Sequence, residues 1–423
     1  MMRRLSFEKL EISPEHKQVL EKTTITESGP GTILNDFQIL LNYLRKQGLP
    51  VAGPHRLPRT VLGEINALLS HPIQLRLKRP EQKSYPHIQG LYLLLRASGL
   101  ACIKAKVVDS TLRDGKLFLS VEDKAYQVWE SLNPTERYCA LLESWLLRGK
   151  EEIVGERGGG LFSVPNILRG VMDLIRRTPE KGLRVEGDKN AQYLLRYVPG
   201  WHNLGLMELF GLISIKPGSP IEGQGWQIES IDRTAFGDAL VALLCAKVLW
   251  EPNLLFESEK EGRVPVGLLQ PILQPYFPEW KKNLSIPEWV FREGTYIFRV
   301  TLGRLWFRIA IPASHTLEWL ASTILTAIKF DSDHLYHFEY ENPWGAIERI
   351  NHDFIDEGPW ASDVRVGDVP LRVGQKMTYL YDFGDNWEFE VTLEQVDRAE
   401  AVKKPRILEM HGSPPKQYSR WDE

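Results

Sequence analysis

The residues best suited to chemistry lie near the C-terminus: His334, His337, His352, Asp353, Asp382 and Asp385. Imidazoles and carboxylates hold zinc or manganese when two or three converge on one point. On a strand, however, side chains alternate between faces, so His334 and His337 are expected to point opposite ways. Asp382 and Asp385 flank Gly384. Aspartate beside a glycine turn commonly bonds its own backbone. Two readings follow. His334, Asp382 and Asp385 bind the metal of a hydrolase or nuclease, or they hold turn and sheet together by hydrogen bonds. The sequence favours the second, and no cofactor is implied.

A second pattern is basic: Arg56, Arg59, Arg76, Lys78, Arg79, Lys83, Arg96, Lys104 and Lys106. Cations in this density suit phosphate contact, whose affinity comes from counterion release. The helix that follows Lys83 reads Ile88-Gln89-Gly90-Leu91-Tyr92-Leu93-Leu94-Leu95-Arg96. Only Gln89, Tyr92 and Arg96 on it could face a base edge, and so apolar a helix also fits burial or protein contact. Gly158-Gly159-Gly160 lacks the spacing of a phosphate loop. Nothing in the pattern assembles a Ser-His-Asp triad.

The elements that must position these residues can be read from periodicity and punctuation. Helices fit Asn35–Lys46, Arg59–Leu69 and His87–Ala97, the last opened by Pro86 and closed by Ser98-Gly99. Ala101–Val108 and Lys116–Val121 alternate like strands around Arg113-Asp114-Gly115. Three helices and a hairpin outline a winged helix, a helix-turn-helix variant. A helix then opens at Asn133-Pro134-Thr135-Glu136 and runs to Leu147. The scheme recurs after the triple glycine. It runs through a helix at Leu204–Phe210, strands at Ile213–Ile215 and Trp226–Ser230, and a helix from Asp232-Arg233 to Leu249. Residues 263–289 carry five prolines among Tyr276, Phe277 and Trp280, which suggests an ordered strap rather than regular helix. Further on, strands fit Thr295–Thr301, Leu305–Ile311, His334–Glu341, Lys376–Tyr381 and Trp387–Leu393. One helix fits Thr316–Ile328, N-capped by Ser314 or Thr316.

This last stretch resembles the plasmid pRiA4b Orf-three-like family. The resemblance rests on Tyr296–Leu302, Leu305-Trp306-Phe307-Arg308-Ile309-Ala310-Ile311-Pro312, Asp331-Ser332-Asp333-His334-Leu335-Tyr336-His337-Phe338 and Tyr381-Asp382-Phe383-Gly384-Asp385-Asn386-Trp387. It covers about residues 294–397, with His334, Tyr336, Asp382, Gly384, Asp385 and Trp387 as its motif positions. It implies an association with plasmids and insertion elements but no settled activity. Many members have histidine where this chain has Tyr336 and Phe389, and a cysteine-containing segment where it has Gly412–Gln417. A metal role of those positions elsewhere does not carry over.

Composition bounds the rest. The chain has 423 residues, 43% hydrophobic and 25% charged, which excludes wholesale disorder. Three separated cysteines, Cys102, Cys139 and Cys245, exclude a cysteine zinc cluster and suggest a reducing compartment. The longest apolar run is far short of a membrane span, and no signal peptide follows Arg3-Arg4. Residues 1–285 have an excess of five positive charges and 286–423 an excess of eight negative ones, so the halves are expected to have different tasks, or one to mask the other.

The reading is an α+β multidomain protein. It has a leader (1–32), two mainly helical, winged-helix-like domains (33–155 and 161–257) and a proline-rich strap (258–289). An α+β domain with a mostly antiparallel sheet and one main helix follows (290–423). The expected role is that of a cytoplasmic, non-enzymatic accessory protein with DNA or a protein as partner and no membrane. The alternatives are the metal-dependent hydrolase or nuclease above and a purely structural protein-interaction module.

Overall fold

The computed structural model describes residues 12–51, 56–105, 117–155, 163–249, 266–285, 289–399 and 402–418. Lys106, Gly158-Gly159-Gly160 and most of the hairpin tip lie outside them. The chain forms two compact units. One comprises 1–102 with 119–287, and the other 288–423 with 103–118.

One order of elements recurs, all in the first unit except residues 103–105 and 117–118 of its first hairpin. Helix α1 (Pro14–Lys22) precedes the first copy. That copy is α2 (Ile33–Gln47), β1 (Leu49–Pro50), α3 (Arg59–Leu68), α4 (Pro86–Ala97), β2 (Ala101–Ala105) and β3 (Leu117–Val121). Helices α5 (Asp123–Ser131) and α6 (Pro134–Arg148) follow. The second copy is α7 (Ser163–Arg177), β4 (Leu183–Arg184), α8 (Lys189–Leu195), α9 (Trp201–Leu209), β5 (Ile213–Pro217) and β6 (Ile228–Arg233), then α10 (Ala235–Leu244). The small sheets have matching orders, β1-β3-β2 and β4-β6-β5. Each third helix ends at a glycine with positive φ, Gly99 or Gly211, and each glycine is followed by a buried leucine. The sequence reading found these helix–hairpin cores. It missed α5, α7, α8, the two-residue strands β1 and β4, and α1, which falls within the expected leader.

Helices α4 and α9 pack on each other. Every residue of α4 is buried. Two glycines set how closely the helices approach. A Cβ on Gly90 would sit 2.6 Å from Leu206 Cγ, and one on Gly205 would sit 3.1 Å from the Pro86 backbone. Neither position has room for a side chain without moving its neighbour.

Helix α6 opens as its sequence suggests. The Asn133 side chain accepts from Glu136 N and the Glu136 carboxylate accepts from Asn133 N, both at 2.9 Å. Glu136 also accepts from the backbone N–H of Lys282 at 2.7 Å. Two turns on, buried Glu143 accepts from Gly267 N (2.8 Å) and Leu269 N (2.7 Å). These two carboxylates fix the proline-rich segment along α6. Its only regular helix among the described residues is the single turn Gln270–Leu273, with Pro271 in its first turn where a missing N–H costs nothing. Leu273, Phe277, Trp280 and Leu284 bury themselves there. Removing the Glu143 carboxylate leaves two N–H groups without an acceptor in a buried place. Glu143→Ala is expected to cost roughly 2–4 kcal/mol in urea unfolding and to open 266–285 to limited proteolysis. Unchanged stability and protection would refute the clamp.

The second unit is a seven-stranded sheet under one long helix. Its strands are β7 (Thr295–Leu302), β8 (Leu305–Pro312), β9 (Tyr336–Glu341), β10 (Ile347–Asn351), β11 (Lys376–Tyr381), β12 (Trp387–Asp397) and β13 (Arg406–His411). Their order is β10-β9-β11-β12-β7-β8-β13, and every ladder is antiparallel. The helix α11 (Leu317–Ile328) lays Leu317, Leu320, Ile324 and Ile328 into a core with Phe298, Phe307, Phe338, Tyr379 and Phe389. The α+β reading of this region holds. Two details differ. Thr316 stands at the N-cap of α11, but its hydroxyl makes no cap bond. Backbone carbonyls do that work instead, Leu317 N donating to Val364 O and Glu318 N to Ala361 O. Strand β9 starts at Tyr336, two residues later than alternation suggests.

Candidate functional site

His334 precedes β9 at a bend. Its Nε2 lies 3.2 Å from the Tyr418 hydroxyl, 3.5 Å from Asp333 and 3.6 Å from Asp382. Asp382 has φ +57°, a left-handed conformation. Its carboxylate accepts from Gly384 N at 2.9 Å and, more weakly, from Asp385 N at 3.4 Å. The Asp382 backbone donates to Leu335 O at 3.0 Å, which ties the glycine turn to the start of β9. These bonds form an aspartate-closed turn of the kind the sequence suggested. Gln417 and Tyr418 come back onto it, Gln417 accepting from Asp331 N at 2.6 Å.

The other candidates lie apart. His337 is buried, with its Nε2 3.4 Å from Glu339 and its ring beside Phe383. His352 stands edge-on to Tyr336 and accepts from Phe354 N. Asp353 makes a long bond with Ser362 N. Trp387 meets Phe330 edge to face. Among the described residues no three His, Cys, Asp or Glu side chains are gathered to hold a metal ion. All three cysteines are buried. Burial pushes the Cys245 thiol up to about 12 and Cys139 well above its usual value, so neither supplies a thiolate.

Glu339 was not singled out from sequence. Its bond with His337 holds its carboxyl down at about 2, with the Arg349 guanidinium adding to the effect. A depressed carboxyl contributes stability that is present above about 4.5, its ordinary value, and lost as pH falls toward 2. With the carboxylate 32% exposed, this is worth on the order of 1–2 kcal/mol after screening. Glu339→Gln is therefore expected to lower stability at pH 6 and to match the parent near pH 2.5 in denaturant titrations. A constant gap across that range would rule the pair out as the source.

The basic stretch divides into four groups. Gln89 and Arg96 are buried: Gln89 bonds Gln82 and Val154 O, and Arg96 lies beside Tyr92. Buried side chains present nothing to a base edge, and the same holds for Tyr92. Around Glu81 stand Arg59, Arg56 and Lys83, at 3.4, 3.9 and 4.0 Å. Lys104 is half-buried. Arg76, Lys78 and Arg79 are exposed, with no ion pair among the described residues. The Arg76 carbonyl accepts from Gly223 N at 2.9 Å, which fixes one end of this loop to the β5–β6 connection.

Sequence reasoning also missed His87 and Glu208. They meet at 2.7 Å although 121 positions separate them. No local spacing reports such a pair; the one hint was a histidine at the start of a helix otherwise apolar.

Residues 296–418 match the family model of the plasmid pRiA4b ORF-3-like protein. The second unit thus carries a domain of that family. Over 109 residues the chain is 28% identical to the uncharacterized protein y4hQ of Sinorhizobium fredii, which covers 26% of this chain and 55% of that protein. The chain therefore spans about half the length of the curated relative it matches. A protein of unknown function from Methanosarcina mazei Go1, MM3350, has a solved structure that is 26% identical. It covers 29% of this chain and 72% of that one, at a TM-score of 0.26.

Proposed function

We propose that this chain is a nucleic-acid-binding accessory protein whose first unit is a fused pair of winged helices that contacts the phosphate backbone without reading bases. The repeated order helix–strand–helix–helix–strand–strand, with its first-third-second sheet, supports the winged-helix assignment. In helix-turn-helix proteins the recognition helix lies in the major groove. The elements in that place here, α4 and α9, pack on one another, and α4 is buried throughout. That burial argues against base readout and leaves the loops as contact surface.

The observation that carries the proposal is the loop bearing Arg76, Lys78 and Arg79, three exposed and unpaired cations within four residues. Three phosphate contacts on a duplex give a slope of log affinity against log salt of about −2.7, and non-specific dissociation constants of roughly 1–100 µM at physiological salt. Fluorescence anisotropy with two labelled duplexes of unrelated sequence tests this. Equal affinities, that salt slope, and loss of binding in Arg76→Ala/Lys78→Ala/Arg79→Ala are expected. Absence of binding at low salt would overturn the proposal in favour of a protein-contact module. A strong preference for one duplex would overturn the phosphate-only mechanism. The link to mobile elements rests on the family of the second unit alone.

A further inference from the structure

The first unit contains a cavity of about 400 Å³, within the range of small-molecule sites. Residues 70–74, the first turn of α4, the end of α9 and the β5–β6 hairpin line it. Each copy of the repeated fold contributes a buried side chain: His87 from α4 and Glu208 from α9. His87 Nε2 lies 2.7 Å from Glu208 Oε2, and the other carboxylate oxygen accepts from Ile215 N at 3.3 Å. His87 Nδ1 is buried and has no hydrogen-bond partner. An unsatisfied buried polar atom is destabilising unless something supplies the missing bond.

The chemistry of the lining narrows what that something is. With Nε2 donating to the Glu208 carboxylate at 2.7 Å, Nδ1 is left to accept. The partner must offer an N–H or O–H. No lysine or arginine lines the cavity, while a glutamate does, so an anion gains nothing there. Trp226 stands edge-on to His87, its ring centroid 5.4 Å away, and Ile73, Ile215, Pro217 and Pro220 supply apolar wall. We propose that this cavity binds a small uncharged heteroaromatic molecule of one or two fused rings. Its N–H would donate to His87 Nδ1 and its ring would lie among Trp226 and the prolines. The site is separate from the exposed cations of the proposed nucleic-acid surface and stands whether or not DNA binds.

Saturation-transfer NMR on the full chain, with benzimidazole, adenine and benzoate as probes, tests it. Benzimidazole and adenine are expected to bind with dissociation constants of about 0.1–1 mM, and benzoate is not. His87→Phe keeps a ring of similar shape but removes the Nδ1 acceptor, and should weaken both probes about five- to tenfold. Ser219 is exposed and lines the cavity, so Ser219→Trp should block it without disturbing the buried pair, and decides the matter if His87→Phe does not fold. No saturation transfer from either heteroaromatic at about 5 mM overturns the proposal, as does binding that survives both substitutions. Benzoate binding as tightly as benzimidazole overturns the ligand class.

Discussion

The contact between α4 and α9 is the constraint on which the first unit depends. Two glycines, Gly90 and Gly205, let the helices come close enough for one to bear on the backbone of the other. The remaining contacts are built outward from that crossing. Trp145 of α6 stacks on Phe210 with ring centroids 5.3 Å apart, and its indole donates to Asn203 at the start of α9. Tyr138 donates to the Phe210 carbonyl at 2.8 Å. Helix α6 thus rests on the end of α9 and presents its other face to the proline-rich segment. A larger residue at either glycine would separate the helices and move Trp145, Tyr138 and the His87–Glu208 pair together, because interiors packed at crystal density relax poorly.

The carboxylates of α6 show how polar groups are used in this interior. Burial pushes Glu143 above the ordinary carboxyl range, and the N–H groups of Leu269 and Gly267 oppose that shift. Burial likewise lowers Arg148. A buried charge is tolerated where it is hydrogen-bonded. Prolines supply no N–H, so the segment 266–285 lacks a donor at Pro271, Pro275 and Pro278 and cannot run as a regular helix. The donors beside α6, at Gly267, Leu269, Lys281 and Lys282, reach carboxylates. This accounts for an irregular stretch lying flat on a helix.

Much of this was legible in the sequence wherever punctuation was strong. Pro86 and Ser98-Gly99 bracket α4, Asn133-Pro134-Thr135-Glu136 opens α6, and Gly384 marks the turn that Asp382 closes. Several of the missed elements are short: β1 and β4 are two residues long, and α8 has seven residues, while α1 opens at a Ser13-Pro14 mark that went unread. Helix α7 did carry a signal, since Leu168, Val171, Met172 and Ile175 recur at helical spacing. What no pattern could supply was the partner of α4. Its apolar composition is equally that of a helix buried in its own copy of the fold and of one buried against another. Only the tertiary structure brings Leu206 over Gly90, and with it removes Gln89 and Arg96 from any groove. The same limit hid His87 and Glu208, which become a pair only through that crossing.

The second unit meets a different constraint, that of coverage. Seven strands at about 4.8 Å spacing make a sheet some 30 Å wide, while a helix with its side chains is only about 10–12 Å across. One helix cannot shield that face, so residues between β10 and β11 complete the cover, with Ala361, Val366, Val369 and Leu371 joining the core. The opposite face of the central strands has to be polar. Arg308 bonds Glu394 at 2.7 Å and Glu409 at 3.0 Å, Lys376 bonds Glu390 at 2.7 Å, and Arg299 lies over Trp306, which stacks on His411. Three carboxylates of the acidic half, Glu390, Glu394 and Glu409, are thus occupied in joining strands of their sheet. In the first unit, Arg76, Lys78 and Arg79 carry no such duty. The two groups therefore differ in use: Glu390, Glu394 and Glu409 are paired within their own sheet, while these three cations face solvent.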